Sequence, residues 1–351
     1  MHNNLCAEFP ANVSHSQYAP PAMGKVRWMI LPLLAFALSF SLFGKSAFAN
    51  SAGKLHVIEM WAEKIESSEG GDDLFAYRMA SHVIFEMDES NSNPIDVTSR
   101  YAGTATIPGP TIIINEGDEV ELTLHHGFDP GDSAKLNQVS VHVHGVHYDI
   151  LSDGTLEYIN LVTDEGATAI PVMSYTYHWV AAPGTAGTWP YHDHNMITLN
   201  GAEDRGLYGA LIVNDQANIV TVSQGNRAHS AAFSSLEKEY VLFLGDDAFW
   251  GTEIDSQTGQ QIPLWVNPDL SVQQGSNVRF HLIALGTNTH QFKFPGYKWV
   301  DPGTNLIITE KALGPLEKHV FSIQANHSSV YRDQTFSSKL LGMKGHFKAI
   351  P

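Results

Sequence analysis

From residue 54 onward, short apolar runs alternate with Gly, Pro, Asn and Asp, and no stretch sustains the 3.6-residue period of a long amphipathic helix. That pattern confines the chain to strands. The segments LHVIEMWAEKI, SHVIFEM, TIIINEGDEVELTLHH, VSVHVHGVHYDI, SYTYHWVA and LYGALIVND each read as a strand, and together they fill one Greek-key β-sandwich up to about Asp215. A second set (YVLFLGDD, IPLWV, SNVRFHLIAL, THQFKFPGYKWV, NLIITE, KHVFSIQA and GMKGHFKAI) predicts another. Between them residues 216–236 are small and polar and read as a linker. The expected fold class is all-β, with an N-terminal sandwich over 50–215 and a C-terminal one over 237–351.

Residues 1–49 predict a leader. Lys25 and Arg27 form a positive region after Met23, residues 28–43 an apolar run, and Ala47-Phe48-Ala49 a small-x-small cleavage signal. Translation is expected to begin at Met23, the signal peptide to span 23–49, and the mature chain to start near Asn50, exported to the periplasm or the medium. Uncleaved, the same run would be a membrane anchor, although sixteen apolar residues are short for a span. The only cysteine is Cys6, so the mature chain has no thiol and no disulfide. Cleavage removes three of 20 basic residues (Lys25, Arg27, Lys45) and one of 37 acids (Glu8), taking the net charge from −17 to −19. With no basic cluster anywhere, a nucleic-acid partner is excluded.

Residues 139–148 read VSVHVHGVHY and residues 187–194 read GTWPYHDH. A strand turns successive side chains to opposite faces, so His142 and His144 share one face, as do His192 and His194. Two such pairs on neighbouring strands gather four imidazoles without a thiol, a donor set that points to a copper-type or zinc-type site. The competing reading is a half-buried strand whose polar positions happen to be histidine. Two pairs, one running into Gly145 and the other following Gly-Thr-Trp, favour the metal. Asp153, in Ser-Asp-Gly-Thr, fits a plain turn, and Tyr148 fits a core edge. His125, His126, His147 and His178 lie near the same strands in sequence, but a lone histidine is not by itself a ligand.

The stretches ATIPGPTIIINEGDEVEL, HVHGVHYDILSDGT, GTWPYHDH and GLYGALIV resemble, in order and spacing, the two-domain small laccases of the multicopper oxidase group. The resemblance covers most of residues 100–215. It implies two tandem cupredoxin-like domains, copper as cofactor, and a homotrimer in which each first domain faces the second domain of a neighbour. It implies His142 toward a type 2 copper and His144, His192 and His194 toward a type 3 pair. Asp153 would move protons and Tyr148 take part in redox chemistry.

The second half departs from that pattern. Where the family carries His-x-x-His-x-His-Gly, this chain reads His290-Gln291-Phe292-Lys293-Phe294-Pro295-Gly296, and Tyr331-Arg332-Asp333-Gln334 replaces a Tyr-His-Cys-His run. Ser338 stands where a second type 1 histidine is expected, and Met343 matches the axial methionine. A blue site needs a thiolate, so His290 and Met343 read as packing residues. Lys293 and Arg332 repel a cation, and Pro295 offers no side-chain ligand. The expectation is an exported oxidoreductase acting on a small inorganic or polar substrate at a histidine-ligated copper, without a type 1 relay. Its alternative is a non-catalytic copper-binding, storage or delivery protein derived from a laccase.

Overall fold

The computed structural model describes residues 53–65, 74–87, 93–128, 138–155, 173–194 and 205–351; the leader expected over 1–49 lies outside them. Among the described residues no helix is long and apolar enough to cross a membrane. Among the described residues, nine strands build the first sandwich: β1 (Lys54–Ile65), β2 (Leu74–Glu86), β3 (Ile95–Asp96), β4 (Ile112–Asn115), β5 (Glu119–Gly127), β6 (His142–Val143), β7 (Ser174–Val180), β8 (Gly187–His192) and β9 (Tyr208–Asn214). One sheet runs β3-β2-β1-β5-β7 and the other β4-β9-β8-β6. Their inner faces follow the period of two. In β5, Val120, Leu122 and Leu124 are fully buried while Glu121 stays outside.

The second sandwich follows with β10 (Ile219–Gln224), β11 (Arg227–Ala232), β12 (Leu236–Leu244), β13 (Phe249–Asp255), β14 (Gln261–Val266), β15 (Leu270–Gln273), β16 (Asn277–Ala284) and β17 (His290–Lys293). It continues through β18 (Trp299–Val300), β19 (Ile307–Ile308), β20 (Glu310–Leu313), β21 (Lys318–Gln324), β22 (Ser329–Asp333), helix α1 (Phe336–Leu341) and β23 (Lys344–Ile350). Its two main sheets are β11-β10-β21-β16-β12-β13-β14 and β15-β23-β22-β17-β20, with β18 and β19 forming a separate pair. Phe280, Phe292, Phe321 and Tyr331 fill the space between them. The fold class is therefore all-β, with two tandem cupredoxin-like sandwiches.

Residues 216–236, expected as a linker, are instead mostly the β10–β11 hairpin, and β10 pairs in parallel with β21. Val220 and Val222 alternate inward and are buried, a period of two hidden among small polar neighbours. The two sandwiches meet through β9 and β12, whose apolar stretches Tyr208–Val213 and Tyr240–Leu244 are buried on both faces. Leu211 and Val213 enter the first core, whereas Tyr208, Ala210 and Ile212 meet Val241 and Phe243 across the junction. Each fully buried side chain of this size contributes about 1.5–3 kcal/mol relative to exposure. Polar contacts register the junction. Gln261 brackets Thr111, accepting from its N–H at 2.9 Å and donating to its carbonyl at 2.6 Å. Thr188 Oγ1 lies 2.5 Å from His281 Nδ1, whose other nitrogen lies 2.8 Å from Glu239.

Candidate metal centre

Strands β6 and β8 run antiparallel with His142 opposite His192, so the two side chains leave the same face of the sheet. The His144 N–H donates to the Pro190 carbonyl at 3.1 Å, continuing the pairing past the end of β6. Ring nitrogens of His142, His144 and His192 all fall within 4.8 Å of one another. Nε2 of His144 and Nε2 of His192 face each other at 3.1 Å. The His194 ring stands alongside, its centre 5.1 Å from that of His142 and 5.8 Å from that of His192. The structure thus brings together all four histidines singled out in the sequence, three with convergent nitrogens.

The tautomers suit a metal. His142 Nδ1 donates to the Asp153 carbonyl at 2.5 Å and His192 Nδ1 to the Asp193 carbonyl at 3.0 Å, which leaves each Nε2 as the ligating atom. Burial, opposed in part by the bond to the Asp153 carbonyl, holds His142 below the usual histidine range. A neutral imidazole is the form a metal binds. With three imidazoles and no thiolate among the described residues, the set fits copper.

Two glycines let the backbone come this close. At Gly145, φ is 78°, and a Cβ would lie 1.9 Å from the Trp189 ring. At Gly154, also at φ 78°, a Cβ would lie 2.1 Å from the Val141 carbonyl oxygen. Only glycine meets both demands. Trp189 is pinned in turn by its indole N–H on the Thr185 carbonyl and by Lys318 Nζ, 3.6 Å from the ring centre.

Asp153 and Tyr148 stand at the rim. An Asp153 oxygen lies 3.5 Å from His142 Nδ1, and the Thr155 hydroxyl donates a hydrogen bond to the same carboxylate. Partial burial pushes Asp153 up, but the Thr155 bond, the His142 charge and the nearby Tyr148 hydroxyl outweigh it and hold the carboxyl below its usual range. Burial and the Asp153 charge raise Tyr148. The Tyr148 ring centre is 6.2 Å from that of His142.

The sequence reading missed Ser140 and Asp193. The buried Asp193 Oδ1 accepts from Ser140 N at 2.8 Å and from Ser140 Oγ at 3.2 Å, and Ser140 Oγ accepts from His194 N at 3.1 Å. The pair ties the two histidine segments together. The signal was Asp193 itself, the residue of His-Asp-His that alternates to the opposite face.

The remaining histidines go elsewhere. His125 pairs with Glu59 and stacks on Trp61, His126 packs on Phe128, and His178 pairs with Glu119. His147 is exposed, with its backbone bonded to Val180. His319 accepts from the Trp299 indole, His327 stacks on Tyr297, and His346 pairs with Asp269. His290 is buried with Nδ1 2.7 Å from Asp333, while Met343 lies in the second core. Asp333 also accepts from Ser338 Oγ, Gln291 N and Thr335 N. Burial raises its pKa, but the bond from His290 and the other three lower it well below the carboxylate range. Lys293 and Arg332 sit opposite each other on β17 and β22, with Lys293 paired to Glu310.

The sequence model of the multicopper oxidases matches residues 87–218. Over 235 residues, 63% of this chain, the protein is 28% identical to a "Probable nitrite reductase-hydroxylamine oxidoreductase fusion protein" of Kuenenia stuttgartiensis. It is 32% identical over 119 residues, 32% of this chain, to the laccase abr2 of Aspergillus fumigatus. These matches span 24% and 16% of the relatives' own lengths. Among solved structures, the copper nitrite reductase of Nitrosomonas europaea superposes with a TM-score of 0.52 at 15% identity, covering 84% of this chain and 93% of that one. The multicopper oxidase mgLAC superposes with a TM-score of 0.51 at 17% identity, covering 84% and 87%. At these identities the superpositions speak to the fold alone.

Proposed function

From the premise that this chain belongs to the cupredoxin-based multicopper oxidases, with copper as cofactor, we propose an oxidoreductase that acts on a small inorganic or polar substrate directly at the first-sandwich histidines. The observation that carries the reading is the convergence of His142, His144 and His192 beside Asp153 and Tyr148. The only cysteine is Cys6, so residues 50–351 offer no thiolate for a type 1 relay. Copper at the histidines would supply one-electron chemistry and an open position. The chain's own residues would do the rest. His194 stands where it could add a fourth ligand. Asp153, ionised at neutral pH, would receive or return a substrate proton, and the neighbouring Tyr148 would relay an electron and a proton between the bound substrate and an external electron donor or acceptor.

Small nitrogen species are the first candidates, supported by the relative named for nitrite reductase and hydroxylamine oxidoreductase activities. We further propose a homotrimer. The exposed Phe336, Leu340 and Leu341 on α1, and Ile150 and Leu151 beside Asp153, are two apolar patches that a neighbouring copy would cover. In that packing Lys293 and Arg332 would face the neighbour's histidines and favour an anion. Export through the leader at 23–49 belongs to the same reading. The test is turnover by copper-loaded protein of nitrite with a one-electron donor supplied and of hydroxylamine with a one-electron acceptor supplied, run beside a bulky phenol with oxygen. Turnover of a nitrogen species is expected, and rapid phenol oxidation coupled to oxygen reduction would overturn the substrate assignment. Tight copper binding with no turnover of any of the three would favour the copper-holding alternative.

A further inference from the structure

The junction between the sandwiches forms a partly open cavity of about 330 Å³, away from the polar clamps already described. Tyr208, Phe243 and Trp250 supply aromatic walls, and Leu74, Ile107 and Leu285 complete the apolar lining. Its volume, about 330 Å³, lies at the lower end of the range of small-molecule sites. Arg205 and the two carboxylates Asp246 and Asp247 also border it. Asp246 is occupied, because its oxygens accept from the backbone N–H groups of Thr287 and Asn288 and from the Thr287 hydroxyl. Arg205 and Asp247 are different. Among the described residues neither has a hydrogen-bond or ion-pair partner, and they are not paired with each other. The Tyr208 side chain is 4% exposed, and its hydroxyl likewise bonds to no described residue. Burial first, and then the Asp247 charge, raise the Tyr208 pKa, so the Asp247 carboxylate acts on the same wall.

A half-buried guanidinium and an exposed, unpaired carboxylate border one aromatic cavity and offer an occupant both signs of charge. A ligand bearing one charge would satisfy one and leave the other unpaired. We propose that this cavity binds a small zwitterion with an apolar body, an amino acid in chemical class, its carboxylate on Arg205 and its ammonium on Asp247, with the side chain against Phe243 and Trp250. The guanidinium fork suits a carboxylate, and an ammonium near Trp250 gains from the ring face. Tyr208 lies opposite His192 across the β8–β9 pair, so this cavity shares a strand pair with the metal centre.

The test is isothermal titration calorimetry of the full protein with L-phenylalanine, phenethylamine, which lacks the carboxylate, and 3-phenylpropanoate, which lacks the amine. Phenylalanine should bind at least tenfold more tightly than either analogue. Arg205→Gln should weaken phenylalanine and 3-phenylpropanoate about tenfold and leave phenethylamine unchanged. Asp247→Asn should weaken phenylalanine and phenethylamine and leave 3-phenylpropanoate unchanged. No binding to the unaltered protein, equal affinity for all three compounds, or variants that bind phenylalanine as the unaltered protein does, would each overturn the assignment.

Discussion

Gly145 and the Trp189 indole compete for one volume, and the competition sets how near His144 can come to β8. Gly145→Ala must displace the indole or abandon a left-handed backbone. We expect a loss of about 2–4 kcal/mol in urea unfolding, with copper content falling alongside. Joint replacement of His142 and His192 by Ala should remove copper by elemental analysis while the circular dichroism of the sandwiches persists, because neither core contains a ligand imidazole. Asp153→Asn should keep copper and lower turnover about 10–100-fold, since the His142 bond goes to the Asp153 backbone carbonyl and survives. Copper lost from that variant would mean that the carboxylate holds the site together.

At the scale of strands, buried histidines make stability depend on pH. His82 is held down to about 3 by burial and by neighbouring His56, and His319 to about 4 by burial and by Lys311. Unfolded, both titrate near the ordinary value of about 6.5. Between those values the unfolded chain carries protons the folded chain refuses. The contribution of each is therefore complete above pH 6.5 and is lost as pH falls toward 4 and 3, at up to about 1.4 kcal/mol per pH unit per group. Urea unfolding of copper-free protein at pH 7, 6 and 5 should show this slope, and His319→Gln, which keeps an acceptor for the Trp299 indole, should reduce it. Neither histidine stood out in the sequence, because burial depends on which strands become neighbours. β5 and β9 were legible, since alternation and continuous apolarity each specify how many faces are covered. The β10–β11 hairpin was not, since two inward valines among Ser, Thr and Gln give too short a signal. His142, His144, His192 and His194 were legible because a period of two places them without knowledge of the rest. Ser140 and Asp193 act through a pairing of segments 53 residues apart, which no local pattern contains.

For the whole molecule, Thr188, His281 and Glu239 bind the strand that carries His192 to the second sandwich. Thr188→Val should leave a buried imidazole nitrogen unsatisfied and cost about 1–3 kcal/mol, measured as a shift in thermal unfolding. Replacing Phe336 and Leu340 together by Ser should reduce a trimer to monomers in light-scattering mass measurement, with each monomer folded because both side chains are exposed. A mass that does not change would remove α1 from the interface. Asp333, the third residue of the run that replaces Tyr-His-Cys-His, accepts four hydrogen bonds from its own chain and keeps no lone pair for a cation. The second sandwich therefore needs no metal at this position to complete its core. Under the proposed function, copper supply would then govern activity at the first sandwich without governing whether the second one folds.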